Sequence, residues 1–192
     1  MEQLIFATNN QHKLEEVAAK IAGLFKLLSL KDIGCFDDIA ETGLTFPENA
    51  SIKSHFIYNK YQVNCFGDDS GLEVDALDGG PGVFSARYAG NHGDDAANIE
   101  KVLEKLKGKA NRDAQFKTVI SLIWKGEEYF FEGVIRGKIR EHRTGTAGFG
   151  YDPIFEPLGF NITFAEMTID QKNLISHRAI AVEKLAKFLR EI

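Results

Sequence analysis

Short apolar runs alternate along this chain with segments in which apolar residues recur every three or four positions. The runs "QLIFAT" (3–8) and "VNCFG" (63–67) have the length and composition of buried strands. After the first run, apolar residues between Leu14 and Ile21 recur at i, i+3, i+4 and i+7, which is one face of a helix. Strands that alternate with helices predict an α/β fold.

The later segments add strands that are close in sequence. Residues 114–124 and 127–139 are β-rich on either side of Lys125-Gly126, which predicts an antiparallel hairpin. The predicted fold is therefore α/β, with a mixed β-sheet flanked by helices. The other predicted elements are a strand at 26–30, a helix at 48–61, a helix with its apolar face between Ile99 and Leu106, a capping box of Thr168 and Gln171, and a last helix after Ser176.

The length and charge of the chain limit its domains and partners. A chain of 192 residues is most simply one domain over residues 1–192, or two lobes around one sheet. The formal net charge of −5 argues against a nucleic-acid or membrane-surface binder, because both partners are anionic. A local cluster of Lys and Arg could still bind a small anion, so a small-molecule partner is expected.

Cysteine usage and hydropathy indicate the compartment. Cys35 and Cys65 have no metal-ligand spacing, and we expect them to be reduced, buried thiols. The first residues lack the apolar stretch of a signal peptide, and no apolar run approaches the roughly 20 residues of a membrane helix. A soluble, cytoplasmic protein is expected.

The segment from Thr8 to Glu16 joins a predicted strand to a predicted helix and carries Lys13. Helix N-termini present free backbone N–H groups, so they bind phosphate readily. A cation in the first turn opposes the helix dipole unless an anion is present. The segment is either a phosphate site or simply a capped helix with a solvated lysine. It lacks the glycines and the Gly-Lys-Ser/Thr ending of a P-loop.

Acidic residues follow the predicted strand at 63–67, and another precedes a glycine turn. Asp68 and Asp69 are adjacent at the predicted end of a strand, and two close carboxylates raise one pKa unless a cation intervenes. Mg2+ suits such a pair, because it takes a few carboxylates together with water and phosphate oxygens. Glu41 and Lys53 lie in the preceding segment. The alternative is an acidic surface turn with a solvated Glu41 and Lys53.

Aromatic side chains lie in a glycine-rich segment near the C-terminal end. Phe149 and Tyr151 would be exposed in a loop, which is unfavourable unless a purine stacks between them. His177 and Arg178 begin the predicted last helix, from which they could face an anion or a carbonyl-bearing base. Each of these signals alone is also compatible with ordinary polar surface.

Together, five segments in order along residues 8–178 resemble the inosine/xanthosine triphosphate pyrophosphatase family: "TNNQHK", "ETGLTFPENA", "DDSGLEVDALDGGPGVFSARYAG", "GFGYDPIF" and "ISHR". The resemblance implies Mg2+-dependent hydrolysis of ITP, dITP and XTP, which are non-standard purine nucleotides, to the monophosphate and pyrophosphate. It also implies a homodimer whose elongated mixed sheet has two lobes with a substrate cleft between them.

The same resemblance assigns roles to individual residues. Where many relatives have Gly, this chain has Asn9 and Ala147, and Ala40 replaces a second acid that some relatives carry. Asp69 corresponds to the catalytic acid, with Asp68 beside it. The implied metal ligands are Glu41 and Asp69, the implied phosphate and substrate ligands are Thr8, Asn9, Asn10, Lys13, Lys53 and Ser70, and the implied base pocket consists of Phe149, Gly150, Tyr151 and Asp152, closed by Lys172, His177 and Arg178.

The chemistry of pyrophosphate release can be argued independently. Water must attack the α-phosphorus of a substrate with roughly four negative charges, so lysines and Mg2+ must first offset charge. We expect Asp69 to deprotonate the water, although Asp68 and Asp69 could divide base and metal roles. Two rivals remain: a nucleotide-sensing module without turnover, and an aspartyl-phosphate phosphatase, whose Asp-x-Asp signature is absent. A pyrimidine-directed pyrophosphatase is a nearer rival that the base-pocket motifs disfavour.

Overall fold

The computed structural model describes residues 2–192, apart from the side chain of Ala19, and Met1 lies outside the described residues. Strands and helices alternate over residues 3–105, as the apolar pattern predicted, and three strands and then two helices follow in the rest of the described chain. In chain order they are β1 (Gln3–Phe6), α1 (Gln11–Ile21), β2 (Lys26–Leu28), α2 (Phe46–Tyr61), β3 (Cys65–Val74), α3 (Asp95–Lys105), β4 (Asp113–Trp124), β5 (Glu127–Ile139), β6 (Phe155–Pro157), α4 (Ile169–Ile175) and α5 (His177–Glu191).

Within the described residues, these strands form one six-stranded sheet in the order β2-β1-β3-β4-β5-β6. Strand β1 pairs in parallel with both neighbours, with Leu4 opposite Leu27 and Phe6 opposite Phe66. Strand β6 pairs antiparallel with β5. The predicted α/β fold with a mixed sheet flanked by helices is therefore confirmed.

The predicted hairpin is formed by β4 and β5, which are joined by two residues. Lys125 and Gly126 have φ angles of 51° and 88°. Two consecutive positive φ angles are the signature of a type I′ turn, which matches the twist of antiparallel strands. The Lys125-Gly126 prediction is thus confirmed at the level of the turn.

The described chain divides into two compact units. The first contains the residues up to Asp69, together with 118–133 and 178–192, and the second contains 70–117 and 134–177. The first unit has two apolar clusters, one around Phe6, Phe66 and Leu185 and one around Ile5 and Ile57. The cluster of the second unit includes Phe116, Phe155 and Phe164, which pack ring against ring. A single domain over residues 1–192 stays a prediction.

Strand β3 is longer than predicted and changes the setting of the acidic pair. It continues through Asp68 and Asp69 to Val74, because β1 and β4 flank it and Leu72 and Val74 are buried. The expectation that the strand ends at the pair is therefore wrong, and so is the alternative of an acidic surface turn, because both residues are buried within β3. Side chains alternate across a strand, so the two neighbouring carboxylates point to opposite faces of β3.

Caps place the helices that follow the polar segments. Asn10 caps α1 by accepting a hydrogen bond from the N–H of Lys13. Thr45 and Glu48 form a capping box at the start of α2, and Thr168 and Gln171 form the predicted one at α4. No helix among residues 2–192 is both long and apolar enough to cross a membrane.

Candidate active site

The segment between β1 and α1 presents the predicted phosphate-binding residues at a helix N-terminus. Thr8 accepts a hydrogen bond from the N–H of Asn10 at 3.2 Å, while Asn9 and Asn10 are exposed. The side chain of Lys13 leaves the first turn of α1, and its Nζ donates to Asp68 Oδ1 at 2.8 Å. The segment therefore has exposed polar groups at a helix start, and its lysine is paired with Asp68 rather than solvated; its phosphate-binding role stays a prediction.

Asp68 is paired with two cations. Besides Lys13, the Nε of Arg178 lies 3.6 Å from Asp68 Oδ2. Burial alone would raise the pKa of Asp68, but Lys13 and Arg178 outweigh it and hold that pKa well below its usual range. The carboxylate of Asp68 is therefore a fixed negative charge and a poor proton acceptor.

Sequence reasoning missed a carboxylate of this cluster, Glu16. It is buried on α1 and forms an ion pair with Arg178 of α5. Glu16 lies three residues after Lys13, which is the spacing of side chains on one helix face. That spacing is the signal that could have indicated its role. Arg178, which the resemblance assigned to the base pocket, lies here with Glu16 and Asp68.

Asp69 has a different environment on the other face of β3. Its Oδ2 accepts a hydrogen bond from Asn49 Nδ2 on α2 at 2.9 Å. Burial raises the pKa of Asp69 to about 6; Lys53 opposes this rise and Glu41 adds to it. A carboxyl group poised near neutral pH can take up a proton during catalysis.

The side chain of Lys53 links Glu41 to the backbone of β3. Its Nζ donates to Glu41 Oε1 at 2.8 Å and to the carbonyl oxygen of Asp68 at 2.6 Å. Burial lowers its pKa, but the surrounding carboxylates outweigh burial and raise it. The close approach of α2 requires Gly67, because a Cβ there would lie 2.7 Å from Lys53 Cβ.

The second unit carries the predicted base-pocket residues. Asp152 is buried, and its Oδ2 accepts from the N–H of Phe149 at 3.0 Å and from Lys172 Nζ at 2.8 Å. The Lys172 Nζ also lies 4.7 Å from the centroid of the half-buried Phe149 ring. Gly148 has a φ of 77°, and a Cβ there would lie 2.0 Å from Asp152 Oδ2. The glycine-rich segment is therefore shaped around one buried ion pair.

The remaining base-pocket residues lie deeper than expected. Tyr151 is only 4% exposed, and its hydroxyl donates to the carbonyl of Ser85 at 2.8 Å. The expectation that its ring would be exposed without a ligand is wrong, because the apolar cluster of the second unit already covers it. His177 is also buried and stacks on Phe116 with a centroid distance of 4.7 Å.

Two predicted substrate ligands remain, Gly150 and Ser70. The N–H of Gly150 donates to Asp95 Oδ2 at 2.7 Å, at the start of α3. Ser70 is half-buried in β3, directly after Asp69.

Comparison with known families shows to which family a chain with this fold and these motifs belongs. The model of the Ham1 family matches residues 4–188 of the chain. The chain belongs to the Ham1 family. The resemblance to the inosine/xanthosine triphosphate pyrophosphatases is confirmed, because the curated Ham1 relatives carry a pyrophosphatase name.

One such relative is the "dITP/XTP pyrophosphatase" of Christiangramia forsetii, which is 52% identical over 97% of this chain and 98% of its own length. Two solved Ham1 structures have the same fold. The Staphylococcus aureus Ham1 protein has a TM-score of 0.92 and 40% identity, with 99% of each chain covered. The HAM1 protein of Coxiella burnetii has a TM-score of 0.93 and 39% identity over the whole of both chains.

The Ham1 residues predicted to hold metal are compatible with a magnesium site. Among residues 2–192, no group of three or more His, Cys, Asp or Glu side chains could hold a metal by itself. Glu41 Oε1 nevertheless lies 2.8 Å from Lys53 Nζ, and the negative charge of Glu41 helps to raise the pKa of Asp69. Two carboxylates match what Mg2+ requires, because it usually retains waters and takes further ligands from substrate phosphates.

In this Ham1 protein, then, the predicted residues form two groups. Lys13, Lys53, Glu41 and Asp69 lie with Asp68 in the first unit, and Arg178 joins them there. Phe149, Asp152 and Lys172 form the second group in the second unit. His177 and Arg178 are adjacent in sequence but belong to different units.

Proposed function

We propose that this Ham1 family protein hydrolyses ITP, dITP and XTP to the nucleoside monophosphate and pyrophosphate, which removes non-standard purine nucleotides from the nucleotide pool. The observation that carries the proposal is Asp69, a buried carboxyl with a raised pKa that accepts a hydrogen bond from Asn49 and is influenced by the charges of Lys53 and Glu41. This is the combination needed to deprotonate water next to a triphosphate. Relatives named dITP/XTP pyrophosphatase support the substrate class.

In the proposed reaction, Asp69 accepts a proton from a water molecule as the water oxygen bonds to the α-phosphorus. The bond from the α-phosphorus to the oxygen bridging it to the β-phosphorus breaks, and pyrophosphate leaves with that oxygen. Lys13 and Lys53 offset the negative charge of the phosphates and of the leaving group. The exposed amides at the start of α1 are suited to the phosphate oxygens.

Magnesium is the proposed cofactor, held by Glu41 and Asp69. When bound, it supplies positive charge that offsets the phosphate oxygens and helps to activate water. Asp69 would then help to hold the metal as well as accept the proton from water. Asp68 is unsuited to either role, because Lys13 and Arg178 already balance its charge.

The base is proposed to bind at the second-unit cluster, with Phe149 as the stacking ring. Hypoxanthine and xanthine present a carbonyl oxygen at position 6, whereas adenine presents an amino group. A site that donates hydrogen bonds to the oxygen would leave the adenine amino group unpaired, at about 1–3 kcal/mol per group. We therefore propose a preference for ITP and XTP over ATP and GTP, with GTP rejected through its amino group at position 2.

Phosphorus NMR of the products formed from ITP, with and without Mg2+, tests the reaction. Inosine monophosphate and pyrophosphate are expected, and 18O from labelled water should appear in the monophosphate. Label only in pyrophosphate would contradict attack at the α-phosphorus. Orthophosphate as the sole primary product would indicate a phosphatase, and binding without turnover would indicate a nucleotide sensor.

The metal assignment is tested by Glu41→Gln, which removes a charge and keeps the side-chain shape. The Mg2+ concentration for half-maximal rate should rise roughly tenfold, while the rate at saturating Mg2+ changes less. Glu100→Gln is the control, since Glu100 is an exposed acid on α3 that pairs with Arg143. An unchanged Mg2+ requirement in Glu41→Gln would remove Glu41 from the metal site.

We also propose a homodimer in the cytoplasm. Exposed apolar side chains support the dimer: an open cavity of about 560 Å³ in the first unit is lined by Leu44 and Phe130, which are 79% and 50% exposed. The free, buried Cys35 and Cys65 are compatible with a reducing compartment. Sedimentation at micromolar concentration should give about twice the chain mass of 21.4 kDa.

A further inference from the structure

One buried amide side chain, Asn49, lies between the proposed base and the segment that carries the proposed metal ligand. Asn49 is 0% exposed on the first turns of α2. Its Nδ2 donates to Asp69 Oδ2 at 2.9 Å, and its Oδ1 accepts from the N–H of Gly43 at 2.8 Å. Neither the motifs nor the family resemblance assigned a role to this residue.

The chemistry of the carboxamide defines its orientation. Its oxygen can only accept and its nitrogen can only donate, so the N–H of Gly43 and the carboxylate of Asp69 select opposite ends. Gly43 is two residues from Glu41, and a Cβ at Gly43 would lie 2.7 Å from Asn49 Oδ1. The segment before α2 therefore packs directly on the Asn49 side chain.

The neighbouring capping box holds the same segment from its other end. Glu48 Oε2 accepts from the N–H groups of Leu44 and Thr45 at 2.7 and 3.0 Å. Consecutive backbone groups of this segment are thus bound by side chains of the first turn of α2. The side chain of Asn49 also contacts Asp69.

We propose that Asn49 is a positioning residue that couples Asp69 to the Glu41 segment. It directs one oxygen of Asp69 towards α2 and thereby sets the rotation of the carboxylate that meets water and metal. By accepting from the N–H of Gly43, it fixes the position of Glu41 relative to Asp69. This inference rests on the proposed function, because it assigns Asn49 a part in the reaction of Asp69.

Two variants separate the contacts. Asn49→Leu removes both hydrogen bonds and keeps the branched shape of the side chain, and it should lower kcat for ITP about tenfold, the rate equivalent of one hydrogen bond. KM should change less than threefold, and the Mg2+ concentration for half-maximal rate should rise. Asn49→Asp retains an acceptor for Gly43 but places a carboxylate against Asp69, so kcat should fall at least as far.

Asn98→Leu is the matched control. Asn98 is also a buried helix asparagine, 2% exposed on α3. Within the described residues, its side chain accepts from the N–H of Ala89 and donates to the carbonyl oxygen of Ala86. Asn98→Leu should lower the free energy of unfolding, measured by urea denaturation, about as much as Asn49→Leu does. It should leave the Mg2+ requirement unchanged. If Asn49→Leu does not fold, Asn49→Ser is measured against Asn98→Ser with the same expectations.

The binding of Mn2+, used as a probe for Mg2+ and measured by electron paramagnetic resonance, distinguishes the inference from the proposed function. Weaker Mn2+ binding and lower kcat in the Asn49 variants alone support the positioning role. Wild-type kcat and Mn2+ affinity in Asn49→Leu would overturn it, even with a large loss of stability. A wild-type protein that does not hydrolyse ITP, but whose Mn2+ affinity still depends on Asn49, would overturn the proposed function and leave the coupling standing.

Discussion

The two charged clusters use their carboxylates in opposite ways. In the first unit, charges are shared: Asp68 meets both Lys13 and Arg178, and Arg178 meets both Asp68 and Glu16. In the second unit, Asp152 and Lys172 form one ion pair, and the same Asp152 oxygen binds the backbone of the glycine-rich segment. The first arrangement gives Asp68 and Arg178 two charged partners each, whereas the second uses one ion pair to shape a loop.

The difference also separates two acids that are neighbours in sequence. Cations hold the pKa of Asp68 below its usual range, while burial raises that of Asp69 to about 6. Only one of the pair can therefore exchange a proton near neutral pH. A cluster with shared charges can contain both a permanent anion and a base.

Asp69→Asn should produce the largest effect, because it removes the base and retains the shape. We expect kcat for ITP to fall by roughly 10²-fold or more, while calorimetry still detects substrate binding. Asp75→Asn, at an exposed acid paired with Arg136, should retain wild-type kcat. Wild-type turnover in Asp69→Asn would show that Asp69 is not the base.

Asp68→Asn should act on stability rather than on proton transfer. Removing one partner leaves Lys13 and the buried Arg178 with excess positive charge, and the free energy of unfolding should fall by about 3 kcal/mol. Urea denaturation measures the change. In the matched Asp75→Asn variant, the free energy of unfolding should fall by less than about 1 kcal/mol, because the Asp75–Arg136 ion pair is exposed. Equal losses in the two variants would contradict the buried-network interpretation.

Asp152→Asn should affect binding more than turnover. The neutral side chain can still accept from the Phe149 N–H but loses the charge that pairs with Lys172. KM for ITP should rise roughly 10- to 100-fold, the range for a hydrogen bond between charged groups, with kcat within about threefold of wild type. A fall in kcat with unchanged KM would show that the two clusters do not divide binding and chemistry.

The pH dependence should give the smallest effect. Asp69 must be deprotonated to act as a base, so kcat/KM should increase with pH around the pKa of about 6 and gain roughly tenfold between pH 5 and 7. The contribution of Asp69 to the free energy of unfolding should change in the opposite direction and decrease as pH rises. Its folded pKa exceeds the ordinary 3.8, so Asp69 contributes a stability that is lost as pH rises from about 4 to 6. Denaturation of wild type and Asp69→Asn across this range checks the sign.

Local patterns were sufficient to predict most elements of the fold. The Lys125-Gly126 hairpin, the Thr168–Gln171 capping box and the apolar face of α5 depend on neighbours within a few residues, and the structure contains all three. The end of β3 was missed because its length depends on β1 and β4, which flank it from distant parts of the sequence. The acidic pair was consequently expected at the end of the strand rather than inside it.

The sequence by itself determined the α/β alternation, the caps and the set of polar segments, because these follow from spacing and side-chain type. Only the tertiary structure decided what each charge does. Strand alternation turned Asp68 towards Lys13 and Asp69 towards Asn49, and helix packing buried Glu16 against Arg178. Burial and charged neighbours set a pKa, and both come from residues far apart in the chain.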